Sequence, residues 1–407
     1  MKKNTIPPRK ILLIASLCSF LFSTLYVHSQ TSESMKDILQ KQKDANKQNL
    51  DDLKAKLGKL EQEIKDKNYS FKVGITEAMK YEISQIASTK PPSSIDYKAV
   101  NKAAEKRLKM EAKRKKQKKK VKFTSDDSED VEEIEYSDDD PLPDDYADMQ
   151  DYSDDDSYQQ TEDKGYVEPP PPPKKNASKC SVDMKAWDWR AEGKVTPVKQ
   201  QGSCGSCWAF TTAAAFESSY LIQNNKTIDM SEQQIVNCSR AGSCASGGWP
   251  GDAFEYLLMK GTTSSGSRSG IDESAEPYKG KDLQCKPYKT TTYQTVAWGY
   301  VANGNRTPTV KEVKQALCKY GPLASAVYVT DHFQAYTGGV FNEKVKTSRP
   351  SDVNHAITIV GWDDNLNAYL IKNSWGDKWG IKGYMWVDYK SANIGYGTMW
   401  VVARSEK

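Results

Sequence analysis

The sequence predicts an α+β fold for the C-terminal half of the chain, on two observations. Downstream of Cys207 the apolar residues Phe210, Ala213, Ala214 and Phe216 to Ile222 recur at helical spacing with a wide buried face. Further on, the runs TTYQTVAWGYV, SAVYV, HAITIVGW, AYLIKNSW and GYMWVDY alternate or stay apolar throughout, as strands do. A third observation concerns the rest. A mean hydropathy of −0.74 over 407 residues is too polar for one compact globule, so part of the chain should lie outside a core.

Residues 1–29 read as a secretory signal. Lys2, Lys3, Arg9 and Lys10 precede an apolar run from Ile11 to Val27, and Val27-His28-Ser29 offers a cleavage site before Gln30. The alternative is an uncleaved anchor, since the run is near the lower length limit for spanning a membrane. Export permits disulfides. Without Cys18, seven cysteines remain: Cys180, Cys204, Cys207, Cys238, Cys244, Cys285 and Cys318. Six can pair and one stays free.

Residues 30–90 form a second region, with helical character. Leu50, Leu53, Leu57, Leu60 and Ile64, three and four apart, draw a narrow apolar stripe along a helix over 31–68. Residues 68–88 then read as a strand followed by a short helix. Residues 91–179 are expected to be a disordered linker. A basic block from Arg107 to Lys122 is followed by an acidic one from Asp126 to Asp163 and by five prolines, Pro169 to Pro173. Such composition has too little apolar surface to offset the entropy of ordering. The two blocks nearly cancel, which is why the net charge is only +4. No aromatic or fold motif accompanies the basic block, so it reads as a solvated spacer rather than a nucleic-acid surface.

The ordered domain, residues 180–407, is organised around Gln201 to Phe210, QGSCGSCWAF. A Gly/Ser turn gives way there to the helix, with Ser206 a candidate cap and Cys207 at the positive end of the macrodipole. That field favours the thiolate, the nucleophilic form. Six residues upstream, Gln201 carries an amide donor that can reach the same point. C-G-S-C also has the spacing of a redox dithiol or half a zinc site. A zinc site would need a second ligand pair nearby and none follows; a redox motif would be expected in a small βαβ unit.

The five residues Cys204 to Trp208, CGSCW, followed far downstream by His and Asn, match the signature of papain-like proteases. From Trp187 to about Val402 the chain resembles that family. The resemblance implies two subdomains with a cleft between them: a mainly helical one over residues 187–285 and a β-barrel-like one over 290–402. It implies a cysteine endopeptidase made as a zymogen, with no cofactor or metal. Cys207 would be the nucleophile and His355, in Asn354-His355-Ala356, its base. Asn373 in NSWG would orient the imidazole, Trp375 would shield that bond, and Gln201 with the Cys207 N–H would form the oxyanion hole. His332, the other histidine after residue 29, is read as a surface residue. A thiolate–imidazolium pair with a strongly lowered cysteine pKa is the implied ground state.

The same carry-over implies that Gly247 and Gly248 pair with an extended peptide. Trp249, Pro250, Val353 and Ala356 would line the pocket for the second residue upstream of the cut. Arg404 falls near the floor of that pocket, where it would favour acidic side chains. The family's disulfides map to Cys204–Cys244 and Cys238–Cys285. Cys180 and Cys318 are left over and are expected to join each other.

Residues 30–90 are similar to the family's inhibitory propeptide through Ile64, Asn68, Phe71 and Gly74, although Leu53, Leu57, Leu60 and Asn49 replace four residues of its helix motif. The partners implied are peptide or protein substrates and the chain's own propeptide. Nucleic acid and stable membrane insertion after signal cleavage are not expected, and the enzyme is read as a secreted monomer. Two rivals share these residues: an inert adhesion or scaffold protein on a protease fold, and an acyl-transfer enzyme using the same acyl-enzyme.

Overall fold

A computed structural model describes residue 40 and residues 47–124, 179–258, 262–263, 266–267, 270–286, 293–345 and 347–404. The expected signal segment, and the expected linker from residue 125 to residue 178, lie outside the described residues. The chain divides into two compact units, Met1–Glu63 and Ile64–Lys407. In the first, residues 47–63 are helical, the larger part of a helix α1 over residues 47–67.

The second unit is α+β. It begins with strand β1 (Phe71–Val73), a 3-10 turn (Glu77–Lys80), the short helix α2 (Ile83–Ile86) and the long helix α3 (Tyr97–Thr124). α2 is closed by a capping box, the Glu82 N–H donating to the Gln85 side chain at 2.9 Å. After β2 (Ala186–Asp188) come three helices: α4 (Cys207–Asn224), α5 (Glu232–Cys238) and α6 (Pro250–Leu258). A two-stranded ribbon, β3 (Gly242–Ser243) with β4 (Gly247–Gly248), precedes α6, and β5 (Thr262–Thr263) pairs with β6 (Gly266–Ser267) after it. The remaining elements are β7 (Thr295–Tyr300), α7 (Val310–Tyr320), β8 (Leu323–Val327), α8 (Asp331–Gln334), β9 (Tyr336–Phe341), β10 (His355–Asp363), β11 (Ala368–Lys372), β12 (Tyr384–Asp388) and β13 (Tyr396–Ala403).

The large sheet runs in the order β1-β9-β12-β11-β10-β8-β13-β7, with β2 also paired to β10. Its neighbours are antiparallel except β9 with β12. β10 is buried from His355 to Trp362, as expected of a strand covered on both faces. α4 is buried from Cys207 to Leu221 and so is apolar or small nearly all round. It ends at Asn225 in the left-handed conformation, a residue type that tolerates it.

Cys204–Cys244 and Cys238–Cys285 tie the loops around α4 and α5, and Cys180–Cys318 joins the start of the domain to α7. Helices dominate residues 187–285 and strands residues 290–402, but β2 crosses into the sheet, pairing Trp187 with Trp362.

One expectation is overturned. Residues 97–124, read as the start of a disordered linker, form the 28-residue helix α3. That stretch holds no Gly or Pro and is rich in Lys and Ala, both good helix formers. Asp96 accepts the Ala99 N–H at 2.9 Å and caps the first turn. Beneath the charges lies a docking stripe: Tyr97 and Ala104 are buried, and Val100 and Leu108 pack at their sides. The Tyr97 ring meets Tyr300 of β7 at 4.7 Å, and Asn101 Oδ1 accepts the Tyr300 N–H at 2.8 Å. Arg107 pairs with Glu255 of α6 at 3.7 Å. Charge hid the helix because it sits on the outward face.

Candidate active site

The loop before α4 is sewn to the loop after β11. Gln201 N–H donates to Ser374 O at 2.9 Å, Gly376 N–H to Lys199 O at 3.1 Å, and Gln200 bridges Trp375. The Gln201 side chain is fully buried, and Ser374 Oγ donates to its Oε1 at 2.6 Å. That bond fixes the amide so that Nε2 points back over the turn, donating to Cys204 O at 2.8 Å and to Ile86 O at 3.1 Å. Ser374 was not singled out from the sequence; a hydroxyl beside Asn373 carries no signal of its own.

Cys207 is the first residue of α4, fully buried, and the one free cysteine among the described residues. Ser206 occupies the cap position but makes no capping bond; its hydroxyl meets Tyr278 OH at 2.6 Å instead. His355 opens β10, paired with Val327 of β8. Its Nε2 lies 2.7 Å from Asn373 Oδ1, which leaves Nδ1, with no other partner, as the ring nitrogen available to the sulfur. Trp375 lies over the imidazole at 4.7 Å between ring centroids, and Phe333 stands edge-on to both, 5.9 Å from Trp375 and 6.4 Å from His355. Water is kept from the His–Asn bond by these rings.

Burial pushes the Cys207 thiol up, and His355 beside it, the Thr89 hydroxyl and a backbone bond from Ala356 pull it further down, to about 7. A fully desolvated sulfur carries the largest penalty on its own charge.

His332 is not a surface residue. It is buried, its Nδ1 lies 3.1 Å from Glu343 Oε1, and the rings of Tyr69 and Phe71 stand edge-on to it at 5.8 Å. The apolar contacts come from the N-terminal segment, which the local sequence could not reveal.

That segment crosses the site. β1 pairs with β9, Phe71 opposite Gly339, and Phe71 packs 4.5 Å from Phe341. Gln334 Nε2 donates to Ala78 O and Tyr81 O at 2.7 and 2.8 Å. Beyond α2 the Ile86 carbonyl sits on the Gln201 amide, and Thr89 Oγ1 lies 3.1 Å from Cys207 Sγ. Thr89 N–H donates to Asn354 O at 2.8 Å and Lys90 N–H to Gly248 O at 3.0 Å. A Cβ on Gly247, whose φ is +68°, would collide with the Ser88 carbonyl, so the close approach requires glycine there. Neither Ser88 nor Thr89 was foreseen, because a hydroxyl in a polar stretch carries no signal until its partner is known.

Trp249, Val353 and Ala356 are buried together in one apolar cluster with Tyr396 and Met399, and Pro250 opens α6 beside them. Arg404 is not at this pocket. Tyr396, 6.4 Å from Trp249, begins β13 and Arg404 follows its end, eight residues and roughly 26 Å further along an extended strand. The guanidinium lies instead within the field of Glu111 on α3. Behind the site Lys199 Nζ bridges Glu232 at 2.7 Å, Glu217 at 3.4 Å and Asp229 at 2.6 Å.

A sequence profile of papain family cysteine proteases matches residues 184–403, just over half of the chain. Among curated proteins, a pro-cathepsin H of Medicago truncatula is 39% identical over 217 residues, covering 52% of this chain and 59% of the relative. The thiol protease aleurain of Arabidopsis thaliana is 39% identical over 217 residues, 52% of this chain and 57% of its own. The match thus spans less than two thirds of these relatives' length. A digestive procathepsin L2 proteinase from Tenebrio molitor larval midgut superposes with a TM-score of 0.48 at 33% identity, over 54% of this chain and 68% of that one.

Proposed function

The chain belongs to the papain family of cysteine proteases, and on that premise we propose that it is the zymogen of a secreted cysteine endopeptidase. The Cys207 sulfur attacks the carbonyl carbon of a peptide bond. The oxygen takes up the negative charge and is met by Gln201 Nε2 and the Cys207 N–H. His355 Nδ1 gives its proton to the departing amine, leaving an acyl group on the sulfur. A water then loses a proton to His355 and attacks the acyl carbon, releasing the acid and the thiolate. Asn373 holds the ring so that Nδ1 faces the sulfur throughout.

One observation carries this reading. A peptide carbonyl, that of Ile86, already rests on Gln201 Nε2 beside the Cys207 sulfur. The cleft therefore accepts a peptide at the position where an oxyanion would form. The blocking segment escapes cleavage because it turns the Thr89 hydroxyl toward the sulfur, while the carbonyl on the amide belongs to Ile86, three residues earlier.

Latency is read as resting on two anchors. β1 on β9 holds the segment on one side of Cys207, and α3 on β7 holds it on the other. A cut in residues 125–178 alone would then leave the enzyme closed. Secretion is supported by the three disulfides, which persist in oxidising compartments.

The test is labelling of the full chain with an epoxide that alkylates active-site thiolates, before and after incubation at acid pH, with the adduct located by mass spectrometry. Labelling at Cys207 only after loss of the N-terminal segment is expected. A folded, reduced protein that stays unlabelled in both states sinks the reading in favour of an inert scaffold.

A further inference from the structure

Tyr278 lies between β6 and β7 and plays no part in the chemistry above. Its hydroxyl nevertheless touches both ends of the nucleophile loop. Tyr278 OH donates to Gln201 O at 2.9 Å, and Ser206 Oγ lies 2.6 Å from the same oxygen. A phenol has one proton. With that proton committed to Gln201, Ser206 must be the donor in the second bond. One oxygen thus joins the residue that carries the amide donor to the residue that precedes the nucleophile.

Tyr278 is itself firmly held. Its N–H donates to Glu273 Oε1 at 2.6 Å, and its ring stands edge-on to Phe210 of α4 at 4.8 Å. The next residue donates its N–H to Gln233 Oε1 of α5 at 2.7 Å. The staple is therefore anchored to two helices, not to the loop it restrains.

We infer that Tyr278 is a positioning residue for the oxyanion hole: it sets the separation between the Gln201 amide and the Cys207 N–H. This rests on the peptidase reading. The two donors come from opposite ends of residues 201–207, a stretch with two glycines, Gly202 and Gly205. The Gln201 amide is oriented by Ser374, but that bond fixes its direction, not its distance from α4. Donors must lie within a few tenths of an ångström of the developing oxyanion to stabilise it.

The experiment compares full-length wild type, Tyr278→Phe and Ser206→Ala, each released at acid pH or, if acid does not release it, by limited trypsin cleavage in the basic α3 segment. Three quantities are read. Turnover of a peptide amide reports the whole reaction. Iodoacetamide alkylation of Cys207 reports the thiolate, since that displacement forms no oxyanion. Binding of a peptide aldehyde, followed by tryptophan fluorescence, reports the hole itself. There the sulfur bonds to the carbonyl carbon and the thiol proton passes to its oxygen.

Tyr278→Phe should lower kcat about tenfold with KM within twofold, and weaken aldehyde binding about tenfold. Alkylation rate and its pH midpoint should not move. Ser206→Ala should show the same pattern more weakly, and the double variant should be no worse than Tyr278→Phe. Unchanged kcat and aldehyde affinity overturn the inference, as does alkylation falling in step with kcat, which would mark a merely structural residue. A wild type that binds the aldehyde but turns over no peptide defeats the peptidase reading alone, and the aldehyde comparison still decides the role of Tyr278.

Discussion

The Thr89 hydroxyl lies 3.1 Å from the Cys207 sulfur and covers it. This contact both blocks the nucleophile and steadies its charge. Burial raises the thiol pKa, and His355, Thr89 and Ala356 together bring it to about 7. The sign is clear: the thiol is protonated below that value and ionises as pH rises through it. Thiolate absorbance of the intact zymogen should titrate with a midpoint near 7, against about 8.5 for a free cysteine. Thr89→Val removes one donor and should move the midpoint up. His355→Ala removes the larger influence and should raise it above the free-thiol value, because only Thr89 and Ala356 then oppose burial.

Asn373→Ala leaves His355 Nε2 without its acceptor beneath Trp375. The ring is then free to turn and to take the wrong tautomer. Peptidase kcat/KM of the released enzyme should fall roughly 10- to 100-fold, more in kcat than in KM. A change under threefold would mean that Trp375 and Phe333 hold the ring unaided.

Ala104 is fully buried under α3. Ala104→Glu places a charge against that core, which costs several kcal/mol unless the helix lifts away. Epoxide labelling of Cys207 in the uncut chain at neutral pH should rise at least tenfold. Unchanged labelling with a folded domain would show that β1 is sufficient to keep the cleft closed.

Lys199 is the shared partner of Glu217 and Glu232, whose side chains are 1% and 2% exposed. Lys199→Met takes the cation from both carboxylates behind Asn373 and Ser374, though Glu217 still accepts from the Thr196 hydroxyl and the Met230 N–H. Urea unfolding should show a loss of about 3–5 kcal/mol, the usual consequence of breaking a buried pair on one side. Adding Glu232→Gln should recover part of it.

The sequence made the reactive centre readable because its chemistry demands particular residue types. Cys207 at a helix start, His355 in an apolar strand and Asn373 beside two tryptophans are each poor choices for packing alone. The structure brings these three together with Gln201. Residues that act at second hand were silent: Ser88, Thr89, Ser374 and Tyr278 are ordinary polar residues until their partners are known. α3 was concealed for a different reason. Ten Lys and Arg between Arg107 and Lys122 dominate its composition, while its docking stripe needs only Tyr97, Val100, Ala104 and Leu108. Arg404 was misplaced by register, since a strand carries an error of position a long way from the pocket.

The N-terminal segment also finishes the large sheet. β1 adds a strand outside β9 at one end, and Asn101 of α3 takes a main-chain N–H of β7 at the other. Both margins of the sheet are thereby occupied in the zymogen. Loss of the segment would uncover the edge of β9 where β1 pairs, and would leave the Tyr300 N–H without its Asn101 acceptor.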